Sequence, residues 1–340
     1  MKAIVYTKYG PPDVLQFKEV EKPAPKEGQI LVKVYAASAN PLDWHFMRGS
    51  PFLARLAGGL RKPKNPRLGA DIAGRVEAVG AAVTQFRPGD EVFGQSKGAK
   101  GAFAEYACAD ENELALKPAG LSFEQAAAAP VAAITALQGL RDHGQIHSGQ
   151  KVLIHGASGG VGTFAVQLAK AFGAEVTAVS STRNVDMARQ MGADHVIDYT
   201  QKDFSRNGQR YDLIVAVNGN HPLRDYLRAL NPGGLYVALG GSIPQFLQGV
   251  LLGPLVSRLG RKKVRSFIAK MNQADLLLLK ELLETGKVVP VIEKCYPLNE
   301  TAEAISYLAK GHARGKVVIM VDQNHESGQI PEQNQAGVNS

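Results

Sequence analysis

Apolar and polar positions along this chain follow two rhythms, and the change falls near Ser122. Before it the two kinds alternate, in Ile30-Leu-Val-Lys-Val-Tyr35, Ile72 to Val79, Glu91-Val-Phe93, Gly101 to Ala107 and Glu113 to Leu116. A period of two, broken by turns such as Pro88-Gly-Asp90, predicts short strands and a small barrel-like β unit. After Ser122 continuous apolar runs alternate with helical periodicity. Strands are predicted over Lys151–His155, Glu175–Ser180, His195–Asp198, Tyr211–Val217, Leu235–Leu239 and Val264–Ile268. Helices are predicted over Thr163–Phe172, Asn184–Met191 and Pro222–Leu230. Strands joined by helical crossovers predict an α/β doubly wound parallel sheet. Two helices, Ala274–Thr285 and Glu300–Ala309, and a strand, Lys316–Val321, follow. The polar tail 323–340 is predicted to be disordered.

Composition narrows this picture. A length of 340 residues suggests two domains, and 45% apolar with 21% charged residues excludes a disordered chain. Glycine, 36 residues, exceeds its usual share, so the excess must sit at discrete turns. Two isolated cysteines, Cys108 and Cys295, exclude a disulfide scaffold and a four-cysteine zinc lobe, and suit a reduced, cytoplasmic chain. Met1-Lys-Ala-Ile-Val-Tyr6 enters a strand-like stretch directly, and the greasiest run, Phe246 to Val256, is interrupted by Gln, Gly and Pro. Neither an export signal nor a membrane span is expected. The net charge of +8 leaves nucleic acid, an anionic membrane and a phosphate-bearing ligand open.

The first chemistry lies where strand Lys151–His155 meets Gly156-Ala-Ser-Gly-Gly-Val-Gly162 and an apolar helix. Strand, glycine turn and helix in that order form a dinucleotide site. Its register is Ala157-x-Gly159-x-x-Gly162. Ser158, Gly159, Gly160 and Val161 would cradle a pyrophosphate at the helix N-terminus, and Gly162 would allow close packing. A tight turn without a ligand is the alternative. NAD sites carry an acid at the tip of the second strand, but here that strand ends in Ser180-Ser181-Thr182-Arg183. Hydroxyls and a guanidinium suit a 2′-phosphate that a carboxylate would repel, which favours NADPH over NADH. A solvated surface role is the alternative for Arg183. Tyr199 either packs over the adenine ribose or caps the sheet edge.

The ordered series Asn40-Pro-Leu-Asp43, Arg48-Gly49, Gly69-Ala-Asp-Ile-Ala-Gly74, Gly80, Pro88-Gly-Asp90, Gly101-Ala-Phe-Ala-Glu105, Ala133-Ile-Thr135, the Gly156 turn, Gly192-Ala-Asp194 and Gly311-His-Ala-Arg-Gly-Lys316 resembles the medium-chain dehydrogenase/reductase superfamily. Within it, the chain looks like the zinc-free quinone oxidoreductase branch. That resemblance implies a GroES-like catalytic domain from both chain ends (1–123 and 272–322) around a Rossmann NADPH-binding domain (124–271). Zinc-dependent members place a Cys within Ser38-Ala-Asn40 and Gly-His-Glu at Gly69-Ala70-Asp71, so no metal is expected here.

The activity implied is zinc-independent, NADPH-dependent hydride transfer to a quinone or an α,β-unsaturated carbonyl. An enoyl or 2-alkenal reductase, or a non-catalytic NADPH-binding protein, are the alternatives. His45 stands where relatives often carry a Tyr, as a proton donor or a wall residue. Asn40 resembles the cleft amide that meets nicotinamide or substrate, and Thr135, opening an apolar helix, would contact the nicotinamide. Asn218, Leu239, Gly240 and Ser242 end strands beside it, and Lys316 resembles a basic residue that reaches the cofactor. Trp44, Phe46 and Phe52 would line the substrate pocket. Structural roles stand beside each of these. A homodimer through the Rossmann sheet edge is the family habit.

One stretch has no family role. Apolar Ile243 to Val256 precedes Arg258, Arg261, Lys262, Lys263 and Arg265. Segment 243–265 would suit an anionic membrane surface, but Gly249, Gly253 and Pro254 favour a cleft lid with a solvated basic shoulder. No aromatic-interleaved basic motif supports nucleic acid.

Overall fold

The computed structural model describes residues 1–50, 52–219, 221–240 and 262–322. Strands β1 (Lys2–Val5) and β2 (Gln16–Glu19) pair antiparallel. A seven-stranded sheet begins with β3 (Gln29–Ala39), β4 (Asp71–Val79), β5 (Glu91–Gln95), β6 (Tyr106–Asp110) and β7 (Leu114–Leu116). Helices α1 (Pro41–Arg48) and α2 (Phe52–Gly58) stand between β3 and β4, in a region whose rhythm predicted only β. The helix signals were present all the same. Asn40 is the N-cap, Pro41 takes the first helical position, and the Asp43 carboxylate accepts from the Asn40 N–H at 2.8 Å.

Helices α3 (Phe123–Ala127) and α4 (Pro130–Gln138) lead into β8 (Lys151–His155), α5 (Gly160–Ala171), β9 (Glu175–Ser180), α6 (Val185–Gln190), β10 (His195–Asp198), β11 (Tyr211–Ala216), α7 (Leu223–Ala229), β12 (Leu230–Ala238) and β13 (Lys263–Ser266). These six strands are parallel in the order β10-β9-β8-β11-β12-β13, the doubly wound order whose switch point lies between β8 and β11. The chain then returns through α8 (Gln273–Glu284), β14 (Ile292–Pro297), α9 (Thr301–Ala309) and β15 (Lys316–Met320). Strand β15 inserts between β14 and β3, so the first sheet uses both chain ends. Phe93 and Ala115 of that sheet share one core with Ile134, Leu137 and Phe164 of the second unit. That shared core holds the two sheets against each other at the cleft.

Boundaries shift where local geometry overrides pattern. Residues 101–105 are not strand: Gly101 takes φ +136°, and regular pairing starts at Tyr106. Helix α5 starts at Gly160 rather than Thr163, because the glycine turn is itself the first helical turn. The predicted helix ending at Leu230 stops at Ala229, and β12 starts there with a register shift against β11. Strand β13 ends at Ser266, since Phe267 stacks on His143 with centroids 3.9 Å apart and Ile268 turns out to solvent. Of the basic block, Lys262 and Arg265 donate to the Leu227 and His143 carbonyls, so neither is a free shoulder. Residues 243–261 and the tail 323–340 lie outside the described residues. Among the described residues no helix is long and apolar enough to cross a membrane.

Candidate active site

A pocket opens at the C-terminal ends of β8, β9 and β11, on the switch point of the parallel sheet. Ser158, Gly159, Ser180, Ser181, Arg183, Asn184, Tyr199 and Asn218 line it, with His155 at its base and 311–313 on the far side. Gly156 turns the chain with φ +85°. At Gly162 a Cβ would sit 2.0 Å from the Gly156 carbonyl oxygen, so any side chain there would push α5 off β8. At Gly159 a Cβ would meet nothing closer than 3.8 Å, which leaves the backbone open to a ligand. The Gly315 N–H donates to the Ser158 carbonyl at 2.8 Å, and the Arg183 guanidinium donates to the His312 carbonyl at 2.9 Å. The segment before β15 therefore closes one wall.

Two buried polar atoms in this pocket, Ser180 Oγ and Asn184 Oδ1, have no partner among the described residues. The Asn184 amide donates to the Ser158 and Ser181 hydroxyls at 3.0 and 3.1 Å, which orients that oxygen. Orphaned acceptors, bare glycine backbone and the α5 N-terminus are together a donor and acceptor set that a dinucleotide fits.

Other expected contacts fall elsewhere. Val161 packs on the core rather than lining the pocket. The Thr182 hydroxyl donates to Asp198 at 2.6 Å, and Thr182 and Thr200 together hold that carboxyl below its usual range. The Thr182 hydroxyl is thus already committed to a carboxylate. Thr135 lies inside α4, not at its start, and donates back to the Val131 carbonyl at 2.7 Å. Leu239 packs against Gly139 and Gly240 against the Val217 carbonyl. Ser242 lies outside the described residues.

Beneath the pocket His155 Nδ1 lies 2.6 Å from the Tyr226 hydroxyl, among Phe204 and His221. Burial pushes its imidazole down to about 4, and His221 adds to the shift. An unfolded histidine titrates near ~6.5, so the unfolded chain binds the extra proton between these values. Stability is full above that window and falls as pH falls through it. This residue is expected to cost about 2 kcal/mol between about pH 8 and pH 5. Urea unfolding of the protein and of His155→Gln at both pH values checks this; an identical loss in the variant would discard it.

A buried polar wall is built by strand register. Pairing of β3 with β4 sets Ser38 opposite Asp71, and pairing of β15 with β3 sets Val317 opposite Ala39. Asp71, fully buried, accepts from Ser38 Oγ at 2.6 Å, Asn40 Nδ2 at 2.9 Å and the Val131 N–H at the start of α4 at 2.8 Å. Lys316, 3% exposed, donates to Asn40 Oδ1 at 2.7 Å and lies 3.4 Å from Asp71. Asn40 Nδ2 also donates to the Ser38 carbonyl at 3.2 Å, so both its protons are in use. Asp43 braces the wall by accepting from the Asn40 and Gly69 N–H groups, and burial pushes its carboxyl up to about 7.

The structure thus brings Asn40 and Lys316 together but leaves His45 outside, exposed, with Nδ1 on the Ser50 carbonyl at 2.8 Å. Trp44 and Phe46 pack partly buried against the barrel core, whereas Phe52 is 63% exposed. Ser38, Asp71, Asn184 and His155 escaped the sequence reading. Ser38 and Asp71 left a trace, by standing in the stretches where zinc-dependent members carry ligands.

Two family models match the chain: an alcohol dehydrogenase GroES-like domain over residues 26–119 and a zinc-binding dehydrogenase over 191–319. The 2-methylene-furan-3-one reductase of Solanum lycopersicum is 37% identical, over 94% of this chain and 79% of that protein. The chain belongs to the medium-chain dehydrogenase/reductase superfamily. A second superfamily relative, the NADPH-dependent alkenal/one oxidoreductase, chloroplastic, of Arabidopsis thaliana, is 35% identical over the same shares of each chain. The solved quinone oxidoreductase from Coxiella burnetii matches with a TM-score of 0.84 at 33% identity, covering 95% of this chain and 99% of that one. The metal named by one family model does not fit the residues here. Hydroxyl, amide and carboxylate replace the soft donors, and a lysine ammonium already sits on two of them. Among the described residues no cluster of His, Cys, Asp and Glu could hold a metal ion.

Proposed function

We propose that this protein is a zinc-independent, NADPH-dependent oxidoreductase that reduces a quinone or an α,β-unsaturated carbonyl. One observation carries the reading: Gly315 and Lys316 tie the glycine turn to Asn40, so the dinucleotide pocket and a buried cation share one stretch of chain. When bound, the nicotinamide supplies the hydride. Gly159, Gly160 and the α5 N-terminus hold the pyrophosphate, Ser180 and Asn184 accept from the ribose, and Arg183 with Tyr199 flank the adenosine end. Reduction places negative charge on the acceptor oxygen, which needs a fixed donor. Asn40 has no free proton to offer. Lys316 keeps one N–H beyond its two partners among the described residues, and we assign that donor role to it. This departs from the family expectation that Lys316 serves the cofactor, because its ammonium lies on Asn40 and Asp71.

The names of the relatives and the misfit of zinc to the donors of Ser38, Asn40 and Asp71 support the acceptor class, and a cytoplasmic location is part of this proposal. The deciding experiment measures oxidation of NADPH and NADH in parallel against matched quinone and 2-alkenal panels. Turnover with NADPH is expected on at least one panel. Tight NADPH binding without turnover on any acceptor would replace the enzyme by a cofactor-binding protein. His45→Phe is expected to leave NADPH affinity unchanged and to slow turnover less than about tenfold. A loss of about a hundredfold or more would return the donor role to His45.

A further inference from the structure

Between Asp43 and Asp71 the chain carries six Lys and Arg and no Asp or Glu, although its overall frequency of 31 acids in 340 residues would place two or three there. The same stretch holds three of the most exposed large apolar side chains: Phe52 at 63%, Leu56 at 57% and Leu60 at 57%. Phe52 and Leu56, four residues apart, share one face of α2. Arg55, next to Leu56 in the chain, flanks that face and anchors it, donating to the Gly49 carbonyl at 3.0 Å and stacking over Tyr9, whose hydroxyl donates to the Gly59 carbonyl. The helix is thus held along one flank while Phe52 and Leu56 face water. Arg48, Arg61, Lys62 and Lys64 stand exposed in the same stretch.

Exposed apolar side chains and cations interspersed along an acid-free stretch match one surface chemistry, an apolar layer under anionic headgroups. We propose that α2 and the segment 59–64 dock this protein on an anionic lipid bilayer. A second copy of the chain suits the face poorly, since an isologous contact would set the same cations against each other. Nucleic acid would leave the apolar row without a partner. Helix α1 runs from Asn40 in the buried polar wall to Arg48 at this face, so docking would bring the cleft toward the layer where lipophilic molecules dissolve. The docking itself holds whichever acceptor is reduced.

The test is co-sedimentation of the full chain with phosphatidylcholine vesicles, with and without about 30 mol% phosphatidylserine, at about 0.05 and 0.5 M salt. Binding is expected to require the anionic lipid and to fall at least about tenfold at high salt. Lys62→Glu/Lys64→Glu is expected to weaken it at least about tenfold, from roughly fivefold per lost cation. Leu56→Ser/Leu60→Ser should weaken binding as well. Both variants should retain the melting temperature of the parent, which separates lost docking from lost fold. No sedimentation with anionic vesicles, or loss only with Arg258→Glu/Arg261→Glu, would overturn the proposal. So would a dimer that Leu56→Ser dissolves, or duplex DNA binding through the same lysines without vesicle binding.

Discussion

Replacing Lys316 by Met is expected to cost about 3 kcal/mol of stability and at least about a hundredfold in turnover. The stability loss follows from Asp71, which would remain a buried carboxylate with neutral donors but no cation. Because that loss alone would blur the interpretation, the informative variant is Lys316→Met combined with Asp71→Asn. Removing both charges takes away the unpaired ion, and unfolding in urea should recover most of the stability. Turnover should not recover. If it does, Lys316 only holds the wall together and the donor must be sought elsewhere. If stability fails to return, the ammonium and the carboxylate are not the coupled pair that their distance of 3.4 Å implies.

Arg183→Asp is expected to raise the KM for NADPH about a hundredfold while changing that for NADH by less than about threefold. The guanidinium now spends one N–H on the His312 carbonyl, a neutral acceptor at the rim of the pocket. A 2′-phosphate is a stronger acceptor than a carbonyl, and an aspartate in its place would repel it. Asp198 works in the other direction. It stands ionised at the tip of the next strand and occupies the Thr182 hydroxyl, which removes one of the phosphate ligands that the sequence implied. Discrimination therefore falls more heavily on Arg183. Kinetics with both cofactors check this directly, and an unchanged NADPH to NADH ratio would remove the 2′-phosphate assignment.

Much of the parallel sheet was legible because each strand and crossover is a local pattern. All six strands were found from apolar runs, and the glycine turn announced its own position. Helix α1 was hidden for a different reason: Asn40-Pro41-Leu42-Asp43 reads as a motif before it reads as a cap and a first turn. The buried polar wall was only half legible. Asn40 and Lys316 were named singly, but their meeting depends on the registers of β3, β4 and β15, across a separation of 276 residues. No periodicity carries that information. Asp71 was marked only by its place in a motif, and Asn184 by nothing, since an asparagine before a helix is most often a simple cap.

Strand β15 also sets the order in which the protein can be made. During synthesis β3 can pair early with β4 and, over Gln29–Lys33, with β6, but the Ala36–Ala39 half of its second flank stays open until β15 arrives. Until then Asp71 has no ammonium beside it, and an unpaired backbone edge is exposed to other chains. Strand β15 thus completes both the sheet and the charge pair. Closing so long a loop is a slow step, and high contact order places it late in folding. Native activity and protection of the β3 amides should therefore arise together, in the last phase of refolding.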